Sequence, residues 1–277
     1  MRLTRYLHNV RKQDKPLKFI TAKFLIRTKL SSKCIIQRKY FKIKFFGNSE
    51  ASRLIWLDKN YVLDIEEFVE DYLKDGDIMI DIGANIGLVT LTSSSIIGKQ
   101  GKAYSIEAHP TIFQNLLENI KINNRNNIHT FNIAIGNKTG HVIFSNIRSD
   151  TMNSVKLESS DGIQIPIKKL DDLPISETSI SLIKIDVEGY EKFVLDGAPK
   201  ILEITNCIYF EAIEKLYNKY GYTKNDIINK LEKTGFKIFE INNKTLSSFN
   251  EKTDQQNLLA IKNIDDFIKR TNYKILN

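Results

Sequence analysis

The sequence predicts an α/β fold, a mostly parallel sheet with helices on both faces. Three observations carry this reading. From residue 78 onward, short apolar runs alternate with segments of helical period. The first run ends in a glycine turn, Asp81-Ile82-Gly83-Ala84-Asn85-Ile86-Gly87. The second ends in an acid, Glu107, at the position where sheets of this kind meet a bound nucleoside.

The elements follow in order. Leu3, Tyr6, Leu7 and Val10 share one helical face while Arg2, Arg5, Arg11 and Lys12 lie elsewhere, so the chain opens as a short basic amphipathic helix. Phe41, Ile43 and Phe45 alternate with Lys42 and Lys44, the period of a half-exposed strand, and residues 54–62 read as a second extended piece. Asp64 is expected to cap a helix carrying Ile65, Phe68, Val69, Tyr72 and Leu73, with Glu67 completing a capping box and Gly76 ending it. Seven strands are expected at residues 78–82, 102–107, 128–135, 180–186, 207–211, 236–241 and 257–261. Helices fall between them: one from the glycine turn to Gly98, one opened by Pro110, and others at 192–202 and 224–234. Short alternating pieces within residues 141–170 read as a small β insertion over the carboxyl edge of the sheet.

Composition adds a division. The 277 residues are 42% apolar and 27% charged, which is the balance of a folded chain. Residues 1–48 hold 14 Lys and Arg against one acid, while the other 229 residues hold 27 bases and 32 acids. The net charge of +8 therefore belongs to a basic N-terminal extension, residues 1–48, and not to the body, residues 49–277. No run approaches the roughly 18 apolar residues of a membrane span, since Lys18, Lys23, Arg27 and Lys29 break the most apolar early stretch. The same breaks leave no secretory signal core, and Cys34 and Cys207 form no framework, so a reducing, cytoplasmic location is expected. No metal ligand is expected: zinc sites of the usual types are excluded because His8, His109, His129 and His141 offer no pair at ligand spacing, and one acidic pair, Asp186 and Glu188, without a histidine is a thin case for a divalent ion. For the extension, three readings stand side by side: a solvated surface, an anionic membrane surface that would make the protein peripheral, or nucleic acid. Interleaved Tyr6, Phe19, Phe24, Tyr40 and Phe41 suit a membrane interface best of the two ligands.

The chemistry-bearing residues gather at the predicted carboxyl edge. Glycines in the loop allow close backbone approach, and the following helix N-terminus favours an anionic or carboxylate-bearing ligand. A dinucleotide turn needs G-x-G-x-x-G, whereas here Gly83 and Gly87 are separated by three residues, which argues against NAD. Glu107 can accept hydrogen bonds from both ribose hydroxyls, and Asp81 faces the same crevice. A plain structural turn with a solvated carboxylate is the competing interpretation of both features.

The segment Asp81 to Gly87 resembles the first motif of class I S-adenosylmethionine-dependent methyltransferases. Lys184-Ile185-Asp186-Val187-Glu188-Gly189-Tyr190-Glu191, followed by Val194-Leu195 and Gly197-Ala198, resembles the hallmark of the FkbM family. Asn132-Ile133-Ala134-Ile135-Gly136-Asn137 and Leu170-Asp171-Asp172-Leu173 extend the match, which covers roughly residues 50–262. Ala108 departs from it, standing where the family usually has proline after the acid. The resemblance implies a Rossmann-like class I methyltransferase domain over residues 49–277 with a seven-stranded sheet and S-adenosylmethionine as cofactor. It implies that Gly83, Ala84 and Asn85, in the loop closed by Gly87, hold the methionine moiety. Glu107 then holds the ribose, and Ala134 with its neighbours Ile133 and Ile135 the adenine. The implied acceptor is a small molecule or glycan, with methylation at a hydroxyl of a glycan, glycolipid or related metabolite.

Such a hydroxyl needs a proton acceptor, and Asp186 and Glu188 both leave the fourth strand at its mouth. Each has a structural alternative as a cap or a backbone-amide partner; Asp171, Asp172 and Glu211 come next. Nucleic acid is disfavoured because the fourth strand lacks the Asn/Asp-Pro-Pro-aromatic run used on extruded bases. The runner-up function is a membrane-associated binding or scaffold protein that retains the fold without turnover.

Overall fold

A computed structural model describes residues 15–146, 153–156 and 161–276 of the chain. The expected basic helix around Leu3 to Val10 lies outside the described residues. The first helix, α1 (Pro16–Arg27), starts with proline in its opening turn, where no backbone N–H is needed. A hairpin follows, β1 (Ile35–Gln37) paired antiparallel with β2 (Lys42–Lys44). The alternation read in the sequence places Phe41, Ile43 and Phe45 inward, and all three are buried.

The segment expected to be extended at 54–62 begins instead in a helix, α2 (Glu50–Leu57), and continues as turn and irregular chain. Its start is set by Ser49, whose hydroxyl accepts from the Ser52 N–H at 3.1 Å. The apolar run Leu54 to Leu57 has no period that separates helix from strand, and this cap decides it. In α3 (Asp64–Tyr72), Asp64 is the first helical residue, and the box is made by Glu66, not Glu67: its Oε2 accepts from the Leu63 N–H at 3.2 Å. The same Glu66 carboxylate lies 3.1 Å from the Arg38 guanidinium, both side chains buried, and also accepts from Thr92 at 3.0 Å.

That ion pair and the apolar contacts show where the body begins. Phe41, Ile43 and Phe46 pack in one cluster with Ile55, Ile86, Leu88 and Ile112. The boundary drawn at residue 48 on charge is therefore not a packing boundary, because the hairpin shares a core with helices α2, α4 and α5 of the body.

The alternating half then unfolds as expected: β3 (Ile78–Ile82), α4 (Leu88–Ile96), β4 (Lys102–Ile106), α5 (Pro110–Ile122) and β5 (Ile128–Phe131). The predicted third strand divides here, since β6 (Ala134–Ile135) leaves the main sheet. With β7 (Gly140–Phe144), β8 (Val155–Lys156) and β9 (Ile163–Lys168) it forms a separate four-stranded sheet, which is the predicted insertion. Next come β10 (Ile180–Ile185), α6 (Glu191–Asp196), α7 (Pro199–Glu203), β11 (Thr205–Glu211), α8 (Glu214–Asn218) and α9 (Lys224–Lys233). The expected helix at 192–202 is broken into α6 and α7 at Gly197-Ala198. A Cβ at Gly197 would stand 2.0 Å from the Gly136 carbonyl oxygen, so two family-motif segments meet there backbone to backbone. Asp171 caps α7 by accepting from Lys200 and Ile201 N–H at 2.9 and 3.0 Å.

The chain ends with β12 (Lys237–Asn242), β13 (Thr245–Ser248), β14 (Asn257–Ile261), α10 (Ile264–Arg270) and β15 (Lys274–Leu276). The main sheet runs β15-β13-β12-β14-β11-β10-β3-β4-β5. Among the described residues it has nine strands, two more than the seven expected. The seven expected strands are contiguous within it, and β13 and β15 add an outer edge. From β5 to β11 all neighbours are parallel, and β14 pairs antiparallel with both β11 and β12. All six residues of β10 are buried, the mark of a parallel strand covered on both faces. One face packs Ile183 and Ile208 in one cluster, and the other packs Leu182 and Cys207 with Phe68 and Phe267. The chain runs β3, β4, β5 in one direction from the middle and β10, β11 in the other. The sheet therefore changes direction between β3 and β10, where ligands bind in open α/β sheets.

Candidate active site

A cavity of about 310 Å³ opens at that reversal, lined along the carboxyl ends of β4, β3 and β10 by Glu107, Gly83, Asn85, Lys184, Asp186 and Glu188. Apolar walls come from Ile82, Ile106, Ile133 and Ile135. The volume is at the small end of ligand sites, which span ~300 to 1,000 Å³.

The turn after β3 takes its shape from two left-handed residues, Gly83 at φ +81° and Asn85 at φ +51°. At Gly83 no side chain fits: a Cβ would stand 1.8 Å from the Asp186 carbonyl oxygen, so the loop passes directly against the end of β10. Asn85 then aims its N–H at Glu107 Oε2, 2.9 Å away, and the His109 N–H holds Oε1 at 2.8 Å. Glu107 is thus a buried carboxylate fixed at both oxygens, each with lone pairs left over. Burial pushes its pKa up to about 7 despite these two amides.

At the end of β10, Lys184 occupies a position the sequence reading left without a role. Its ammonium donates to the Gly83 carbonyl at 2.7 Å and lies 3.4 Å from Asp81 Oδ1 and 3.3 Å from Asp186 Oδ2. Burial works against its charge, but Asp186 and Asp81 outweigh it and the net direction is up. The one available signal was a lysine inside an otherwise apolar strand.

Glu188 follows at φ +55° and enters the cavity with no hydrogen bond or ion pair from the described residues. Burial and then the Asp186 charge raise it to about 7, while Lys219 and Lys184 pull the other way. Behind it, Glu191 braces the turn, accepting from Val187 and Gly189 N–H at 3.0 and 3.4 Å. Its other oxygen is buried with no hydrogen bond from the described residues, and burial lifts its pKa to about 8. Glu211, at the end of β11, is also pushed up, by burial and then by Asp186, Glu191 and Glu188.

Of the residues singled out from sequence, Gly83, Ala84, Asn85, Glu107, Asp186 and Glu188 meet in this cavity. Three do not line it. Asp81 is buried beneath, accepting from Thr90 at 2.6 Å and facing Lys184, so it holds the framework. Gly87 is the left-handed N-cap of α4, and a Cβ there would lie 2.5 Å from the Leu116 side chain; its smallness serves helix packing. Ala134 is buried in the core, and its neighbours Ile133 and Ile135 present their side to the cavity instead. Nothing in the sequence pattern pointed to Glu50, Leu54, Tyr61 and Leu63, which form a wall from α2 and the segment after it. Among the described residues no group of three His, Cys, Asp or Glu side chains is placed to hold a metal ion.

Comparison with known proteins gives a family, a relative and two solved structures. The model of the methyltransferase FkbM domain matches residues 81–238. The hexuronic acid methyltransferase AglP of Haloferax volcanii is 24% identical over 154 residues, covering 53% of this chain and 61% of that protein. Among solved structures, M. jannaschii TYW2 in complex with AdoMet matches with a TM-score of 0.45 at 15% identity, over 82% of this chain and 83% of that one. A SAM-dependent methyltransferase from Aquifex aeolicus matches with a TM-score of 0.43 at 13% identity, over 71% and 87%.

Proposed function

This chain belongs to the family defined by the methyltransferase FkbM domain, and from that premise we propose that it transfers a methyl group from S-adenosylmethionine to a hydroxyl of a glycan or related sugar-bearing metabolite. One observation carries the reading. Glu107, clamped by the Asn85 and His109 amides, ends the strand next to the glycine turn inside a mostly apolar cavity.

The residues fit the cofactor. The two Glu107 oxygens keep acceptor capacity for the paired hydroxyls of a ribose, Ile133 and Ile135 offer apolar walls for a base, and the turn Gly83, Ala84 and Asn85 borders the cavity where the methionine portion would lie. When bound, S-adenosylmethionine supplies an electrophilic methyl group on a sulfonium. The protein must then align the acceptor oxygen and remove its proton.

Glu188 is the proton acceptor in this reading. It lies in the cavity unengaged by hydrogen bonds from the described residues, and a pKa near 7 suits a base working near neutral pH. The Glu188 carboxylate would take the hydrogen of the acceptor hydroxyl as a proton, leaving the O–H electrons on that oxygen, while the donor would supply the methyl carbon and keep the C–S electrons on sulfur. Asp186, ion-paired to Lys184, acts instead as a fixed wall that keeps the ammonium against the Gly83 carbonyl. The sugar acceptor is supported by the relative of 24% identity, whose name specifies a hexuronic acid.

The test is to incubate the full chain with labelled methyl donor and a panel of uronic acid and neutral sugar glycosides, and to score label by mass spectrometry. Transfer to a sugar oxygen is expected. Transfer to a nitrogen or carbon acceptor alone would reject the O-methylation reading.

A further inference from the structure

Exposed apolar side chains are not scattered over this molecule. Nine large hydrophobic residues are exposed among those described, and six of them, Leu17, Ile20, Phe24, Leu30, Ile35 and Leu54, fall before residue 55. Helix α1 holds three. It packs on the body through buried Ala22 and half-buried Phe19, Leu25 and Ile26. At about 100° per residue, Leu17, Ile20 and Phe24 form a stripe on the opposite side, 79%, 40% and 62% exposed. A helix that packs by one face normally turns polar residues outward, and this one does not.

Charge borders the stripe on one side. Lys23 and Arg27 lie along that flank, Lys18 turns toward α2 and donates to the Leu57 carbonyl at 3.3 Å, and residues 15–33 contain six Lys and Arg and no Asp or Glu. Ile20 and Phe24, but not Leu17, also edge the groove between α1 and α2, which shares Glu50 and Leu54 with the walls of the catalytic cavity, so that edge of the stripe borders the site. Like charge opposes a second copy of the same helix, and phosphates of a nucleic acid would gain nothing from an apolar stripe. An anionic bilayer answers both features at once, taking apolar side chains into its interface while its headgroups meet the flanking cations.

We propose that α1 is a membrane-docking helix that lays Leu17, Ile20 and Phe24 into an anionic lipid surface. Docked in this way, the cavity mouth faces acceptors carried by the membrane; only this last consequence rests on the methyltransferase reading.

The experiment is sedimentation of the full chain with vesicles of phosphatidylcholine alone and of phosphatidylcholine mixed with phosphatidylglycerol, at low and high salt. Binding to the mixed vesicles, weakened by salt, is expected, with little to the neutral ones. Leu17→Ser with Phe24→Ser should weaken binding at least about tenfold, since two large apolar side chains are removed from the contact. Lys23→Gln with Arg27→Gln should shift release to lower salt. All four side chains project from the surface of α1, and an unchanged thermal melt confirms each variant as folded. No binding by the full chain to anionic vesicles, or equal binding by the Leu17→Ser/Phe24→Ser variant, overturns the proposal. Vesicle binding is read without the methyl donor, so a failed docking surface and a failed cofactor site give different results.

Discussion

Glu188 and Lys184 divide the work at the end of β10. Glu188→Gln removes the proposed proton acceptor but keeps the shape, so turnover should fall by about 10²- to 10⁴-fold while cofactor affinity holds. In the native enzyme, activity should rise with pH along a limb near 7, where Glu188 loses its proton, and that limb should vanish in the glutamine variant. Steady-state rates against pH for both forms check this. Lys184→Met leaves Asp81 buried without its cation, a change that costs about 3 to 5 kcal/mol when a buried pair is broken. Denaturant melts should show the loss even without any ligand. Glu188 was visible in the sequence because an acid after a strand is a chemical signal on its own. Lys184 was not, since its importance lies in partners on β3 and in the glycine loop, which only folding brings together. Ala134 illustrates a related limit: within 133–135 the alternation turns the isoleucine side chains to the cavity, and sequence alone does not say which side faces it.

At the level of elements, the N-terminal hairpin β1–β2 carries the least expected result. Cutting the chain near Gly47 would strip Phe41, Ile43 and Phe46 from Ile86, Leu88 and Ile112 and leave Glu66 buried without Arg38. Such a truncation is expected to aggregate or melt far below the full chain, and size-exclusion chromatography would tell. A soluble truncation of normal thermal stability would show the hairpin to be dispensable. The parallel strands were legible because each is a continuous apolar run closed by glycine, proline or an acid. The strands β1, β13 and β15 are three or four residues long and mixed in composition, so their pairing depends on neighbours and not on their own period. The same limit explains α2, whose apolar run reads equally well as extended until the Ser49 cap is seen.

Across the whole molecule, a set of buried carboxylates makes stability depend on pH in an unusual direction. Glu107 and Glu188 are raised to about 7 and Glu191 to about 8, from 4.5. The folded state therefore binds more protons than the unfolded chain between these values. Stability from these groups is full below about 4.5 and is lost as pH rises through 7 to 8, the reverse of a salt-bridged acid. Thermal melts should fall as the pH is raised across that window. Glu191→Gln, which mimics the protonated acid, should flatten the fall. A melting temperature that climbs over the same range would contradict the burial of these acids.

The cavity at the reversal of the sheet, with Glu107 as its anchor, is tested most directly by calorimetric titration of S-adenosylhomocysteine into the full chain and into Glu107→Ala. Binding at one site per chain is expected for the native protein. Loss of hydrogen bonds to a charged group, worth about 1.5 to 3 kcal/mol, should weaken the variant by roughly 10- to 100-fold. An unchanged affinity in a folded Glu107→Ala protein, or no binding to the native chain, would contradict the assignment of this cavity as the methyl-donor site.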